Sequence, residues 1–134
     1  MIAEDVLFVY GTLRSTSGHR LAVWLGQRAQ LVGRGRVQGR LFRIGSYPGL
    51  VPSKTGGEWV YGEVYRLSNA IEVYRVLDEY EGCGPNDPRP HEFRRSIMRA
   101  FLDSGTSVAA TVYVYGHDVR NRKRIVSGDF LRAE

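Results

Sequence analysis

Residues 29–42 alternate loosely between apolar and polar side chains and are broken by Gly33, Gly35 and Gly39. Glycine inside a strand marks a bulge, a bend or a close backbone approach, so this stretch reads as one or two strands that must curve. Glu58 to Leu67 alternates cleanly, with Trp59, Tyr61, Glu63 and Tyr65 on one face and Val60, Gly62 and Val64 on the other. Val6-Leu7-Phe8-Val9-Tyr10 is a continuous apolar run rich in β-formers, as expected of a strand covered on both faces. His91 to Leu102 and Val108 to Tyr115, joined by the turn Asp103-Ser104-Gly105, add two more strands. Strands that carry glycine where a sheet must bend favour a closed or nearly closed barrel in an α+β domain.

Helices are few. Ser15-Thr16-Ser17-Gly18 offers N-caps for a short helix with Leu21, Trp24 and Leu25 on one side. The second spans Ser68 to Gly82, with Asn69 as N-cap, Glu72 in the reciprocal capping position and Gly82 as the stop. Its apolar face carries Ala70, Val73, Tyr74, Leu77 and Tyr80, opposite Glu72, Arg75 and Glu79. Gly45-Ser46-Tyr47-Pro48-Gly49 and Thr55-Gly56-Gly57 read as turns, and Cys83 to Pro90 as a loop fit to wall a site. Ser127 to Arg132 reads as a capped last turn. With no linker and no internal repeat, residues 1–134 are expected to form a single domain.

Glu81 is the residue with the clearest chemical potential. It follows Leu77 by four positions, so it projects from the apolar face of the second helix, at the negative end of the helix dipole. Desolvation there raises a carboxyl pKa towards neutrality, which general acid–base work requires. The competing reading has the helix fray at Tyr80 and Glu81 point into water, as most glutamates do. Position alone does not decide between them. Glu63, on an aromatic strand face, ranks second among the carboxylates.

Several chemistries lack their residues. His19, His91, His117 and Cys83 have no metal-ligand spacing, so neither metal nor cofactor is expected. Asp78 and Glu81 are neighbours at helical spacing but make a thin metal site. Gly33 to Gly39 does not match the dinucleotide fingerprint, and there is no nucleophile elbow or phosphate loop. Cys83 lies between glycines with no activating neighbour and reads as an inert thiol. A net charge of +5 raises the question of nucleic acid, but the one dense basic run, Arg120 to Arg124, has no interleaved aromatics and reads as a solvated loop. Nucleic-acid binding is not expected. No segment reaches membrane-spanning length, the acidic start Met1 to Asp5 is unlike a secretory signal, and a lone cysteine suits a reducing compartment. A cytoplasmic location is the expectation.

Taken in order, Val9-Tyr10-Gly11-Thr12-Leu13-Arg14, Gly45-Ser46-Tyr47-Pro48-Gly49, Val60-Tyr61-Gly62-Glu63-Val64-Tyr65, Leu77-Asp78-Glu79-Tyr80-Glu81-Gly82, Phe93-Arg94-Arg95, Val112-Tyr113-Val114-Tyr115 and Ser127-Gly128-Asp129-Phe130 resemble the γ-glutamylcyclotransferase-like, or AIG2-like, family. The resemblance runs over nearly the whole chain. It implies an α+β fold, a small mixed β-barrel with flanking short helices, and a pocket beside Tyr10-Gly11-Thr12-Leu13. It places the family's acid–base glutamate on Glu81. Phe93 stands where the family motif usually has tyrosine, and the proline-rich Cys83 to Pro90 loop leaves substrate preference open.

The implied activity is release of 5-oxoproline from a γ-glutamyl amine or γ-glutamyl amino acid by attack of the substrate's own α-amine. That chemistry needs no enzymic nucleophile, metal or cofactor. Backbone N–H groups at Gly11, Thr12 and Leu13 would hold a carboxylate or an oxyanion. Tyr10 is favoured for the pocket wall; for Tyr47 and Tyr115, core packing has at least as strong a claim as the pocket, and Arg95 reads as a binding or an ion-pair residue. The alternatives are a non-catalytic small-molecule binding module, or acyl transfer or hydrolysis of another amide on the same fold.

Overall fold

The computed structural model describes residues 2–132. The chain order is a short 3₁₀ turn Ala3–Asp5, β1 (Val6–Val9), α1 (Arg20–Gly26), β2 (Ala29–Arg43), β3 (Pro48–Pro52), β4 (Trp59–Leu67), α2 (Ala70–Tyr80), β5 (Phe93–Leu102), β6 (Ser107–Tyr115), β7 (Lys123–Arg124) and a 3₁₀ turn Phe130–Arg132. β2, β4, β1, β6 and β5 follow one another around the sheet, and β5 returns to β2 through Gly35 opposite Leu102 and Arg36 opposite Phe101. The result is a closed five-stranded barrel, mixed because β1 and β6 run parallel while the other pairs are antiparallel.

β2 makes closure possible by its length. Its first part pairs with β4 through a bulge between Leu31 and Gly33, and its last five residues leave the barrel to pair with β3. The glycine-rich stretch is therefore one bent strand.

The continuous apolar run of β1 now has a reason. Val6 and Phe8 point into the barrel, where they meet Val37, Val60, Val64 and Val112. Leu7 and Val9 point outward into a second apolar layer with Tyr65, Leu25, Val73 and Leu77. This layer seats both helices against one wall of the barrel. Val73, Tyr74 and Leu77 of α2 are buried in it, at roughly 1.5–3 kcal/mol of transfer free energy each.

Several local expectations change. β3 replaces part of what reads as a turn; its prolines at both ends are tolerated because it pairs on one side only, with β2. α1 is capped by His19, whose Nδ1 accepts from the Leu21 amide at 3.1 Å, and not by a serine side chain. Asn69 caps α2 as expected, but the Glu72 carboxylate turns to Arg28 at 3.3 Å instead of closing the reciprocal bond. The basic run is not wholly a loop: Lys123 and Arg124 form β7 against Phe42 and Arg43, and Arg124 pairs with Glu58 at 3.3 Å. No helix among the described residues is long and apolar enough to cross a membrane.

Candidate active site

β1 ends at Val9, and the loop that follows crosses the seam between the barrel mouth and the helical layer. A pocket of roughly 210 Å³ opens there. Tyr10, Gly11, Thr12, Leu13, Tyr47 and Glu81 all line it, joined by Pro48, Tyr80, Glu92, Phe93 and Tyr113. A side chain at Gly11 would put its Cβ 2.8 Å from Pro48 Cγ, so glycine is what lets the loop pass this close to the wall.

The loop is held from several directions. Ser15 donates its amide and hydroxyl to Glu63 at 2.6 and 2.7 Å, Ser17 donates to the Thr12 carbonyl, and Thr12 Oγ1 meets Tyr80 Oη at 2.9 Å. Among the described residues, no protein acceptor is found for the backbone N–H groups of Gly11, Thr12 and Leu13. Three unpaired donors on a pocket wall form a ready cradle for negative charge.

Glu81 reaches the pocket through the way α2 ends. It is the C-cap residue, and Gly82 follows with φ of 75°. The Gly82 amide bonds the Glu79 carbonyl at 3.3 Å and the Cys83 amide bonds Asp78 at 2.9 Å, the paired bonds of a Schellman stop. The helix therefore does not fray at Tyr80. The Glu81 carboxyl lies deep among protein atoms, and no hydrogen-bond or ion-pair partner is found for it among the described residues. Burial, then the charges of Glu92 and Asp78, raise its pKa to about 8.

The surroundings of Glu81 are anchored and largely unavailable for other work. Tyr113 Oη donates to Asp78 Oδ1 at 2.7 Å, and Arg95 pairs with Asp78 Oδ2 at 3.1 Å while stacking over Tyr74. Arg95 is thus an ion-pair residue outside the pocket lining. The Tyr10 hydroxyl donates to the Tyr113 carbonyl at 2.6 Å and accepts from the Leu50 amide at 3.2 Å, so Tyr10 offers the pocket its ring. Tyr47 donates to Glu92, and burial, reinforced by that carboxylate, pushes its phenol up to about 12, which keeps it a donor. Burial pushes the Cys83 thiol up to about 12 as well, consistent with an unreactive side chain.

Two expected residues fall elsewhere. Tyr115 does not line the pocket; it stands behind Phe93, edge to face at 5.4 Å, although it shares its strand face and the outer apolar layer with Tyr113, which does. Glu63 is buried, but Ser15 occupies both of its oxygens and it does not face the pocket. Glu92 is the residue that sequence reasoning passes over. It sits just before β5, and nothing local marks it, because its place in the Glu81 pocket comes from the pairing of β5 with β6 and of β6 with β1.

A family model described as gamma-glutamyl cyclotransferase, AIG2-like, matches residues 7–132. The chain belongs to that family. Among solved structures, protein ytfP from Escherichia coli is 33% identical with a TM-score of 0.61, over 95% of this chain and 96% of that one. YkqA from Bacillus subtilis is 26% identical with a TM-score of 0.69 over 94% of this chain, which spans only 39% of YkqA. An AIG2-like protein from Mus musculus, 23% identical over 97% of this chain and 84% of that one, shares the fold with a TM-score of 0.69. No curated protein matches.

Proposed function

We propose that this AIG2-like protein is a cyclotransferase that releases 5-oxoproline from a γ-glutamyl amine or γ-glutamyl amino acid, with Glu81 as general acid and base. The observation that carries the reading is a partnerless carboxyl, raised to about 8, in the same pocket as three free backbone N–H groups. The substrate's α-amine attacks its own γ-carbonyl carbon, and the new C–N bond closes a five-membered ring. Glu81 takes the proton that the attacking nitrogen sheds. The tetrahedral oxyanion is met by N–H groups of Gly11, Thr12 and Leu13. Collapse breaks the bond to the amide nitrogen, and Glu81 returns the proton to that leaving group. No water is consumed.

The pocket's task is to hold the glutamyl chain curled, for which Tyr10, Tyr47, Phe93 and Tyr113 supply walls. Well-oriented intramolecular attack reaches effective molarities of roughly 10⁵–10⁸ M, so positioning supplies much of the rate. Incubation with a panel of γ-glutamyl amides and γ-glutamyl amino acids, read by mass spectrometry, should give 5-oxoproline and one equivalent of amine. Silence across that panel would reject the reading. A separate check is NMR titration of ¹³C-labelled glutamate: the Glu81 carboxyl should titrate at about 8. A value near the ordinary 4.5 would mean a solvated side chain and favour a passive binding module.

A further inference from the structure

Glu92 lines two cavities at once. One is the Glu81 pocket, which has no lysine or arginine in its lining. The other is an open cleft on its far side, bordered by Gly82, Asp87, Pro88, His117, Asp118 and Arg122. Glu92 thus stands between the two cavities, and Tyr47, which lines the first, donates to it. Arg122 donates to the Ile44 carbonyl at 3.2 Å, and Asp118 is engaged by Arg120 at 2.7 Å. Asp87 caps the Gly84 amide at 2.8 Å. Asp87, Glu92 and Asp118 outnumber Arg122 in the cleft lining, and of the three only Glu92 also lines the Glu81 pocket.

Glu92 is poorly placed in chemical terms to serve the nucleophile. The attacking α-amine must be unprotonated, and a second carboxylate beside it would favour the ammonium form. A cation that takes no part in the reaction suits it better. We propose that Glu92, held by Tyr47 at the junction of the two cavities, reads the charge of the leaving amine, favouring one with a second ammonium group and disfavouring one with a carboxylate there. This rests on the cyclotransferase reading above.

The test compares kcat/KM for 5-oxoproline release from three γ-glutamyl amides of matched length: those of butylamine, 1,4-diaminobutane and 4-aminobutanoate. The wild-type order should be cationic, neutral, anionic, with about tenfold between neighbours, as expected for gaining or opposing a charged hydrogen bond. In Glu92→Gln the three values should converge to within about threefold. Any effect of Glu92 on the Glu81 proton is common to all three substrates and cancels in the ratios. Glu92→Asp, which keeps the charge, should retain the order. Equal wild-type values, or an order that survives Glu92→Gln, would overturn the proposal while leaving the cyclotransferase reading intact. Turnover of none of the three, nor of the wider panel, would instead remove the reading beneath it.

Discussion

Glu81→Gln is expected to lower kcat for 5-oxoproline release by roughly 10²–10⁴-fold, the usual contribution of a positioned acid–base group. The amide keeps the size and shape of the side chain, so pocket and fold should survive. The same variant has a second readout. Glu81 titrates at about 8 in the folded chain against 4.5 ordinarily, so between those values the native state holds a proton that the unfolded chain has lost. Stability tied to this group is complete below pH 4.5 and drains away as pH rises through 8. A displacement of this size corresponds to a few kcal/mol, at about 1.4 kcal/mol per pH unit. Glu81→Gln removes the titration, so the variant should melt several degrees above wild type at pH 9 and show a flatter stability profile between pH 5 and 9. A variant that loses activity and stability together at pH 9 would point to a structural side chain.

That pairing of lost turnover with gained alkaline stability separates a proton shuttle from a misfolded protein. Glu63 offers the contrast. Both of its oxygens are bonded to Ser15, so Glu63→Gln would loosen the loop that carries the N–H cradle and leave Glu81 unchanged in chemistry.

The site was legible in the sequence where local geometry sets it. Leu77 to Gly82 carries its own helix face and its own stop signal. Spacing thus put Glu81 on the apolar side of α2 but left a frayed end open, and only the Gly82 and Cys83 bonds of the folded chain remove that alternative. The loop after β1 was legible for the same reason, an apolar strand cut short at Gly11. Glu92 and Tyr113 were not, because they reach the pocket through pairings of distant residues: Phe93 opposite Tyr115, and β1 beside β6. Tyr115 and Tyr113 show the limit plainly. Both lie on one face of one strand, two positions apart, and only the packing of α2 and β5 decides which meets the pocket and which backs its wall. The glycines of residues 29–42 announced a bend but left one strand or two open, and β3 was missed because two prolines in five residues look like a turn until one side of the strand is known to be unpaired.

The largest stability effect is expected at Asp129. Its Oδ1 accepts from Arg14 Nη1 at 2.6 Å, and Arg14 is 8% exposed, with its Nε buried and without a partner. This ion pair ties the tail to the loop after β1: Arg14 directly follows the Gly11 to Leu13 cradle, and its own amide bonds the Gly11 carbonyl at 3.1 Å. Asp129→Ala leaves a buried guanidinium with no counter-charge, which typically costs about 3–5 kcal/mol. Urea unfolding should show a correspondingly lower midpoint, and residual activity should fall because the cradle loses its anchor. The charge argument is separable from the cavity argument by a double variant. Replacing Arg14 with methionine in the Asp129→Ala background removes the stranded charge while keeping apolar volume, and should recover at least half of the lost stability. If the double variant is less stable than Asp129→Ala by the full cost of a second core substitution, the pair is not coupled as its 2.6 Å contact implies, and the tail holds the loop by packing alone.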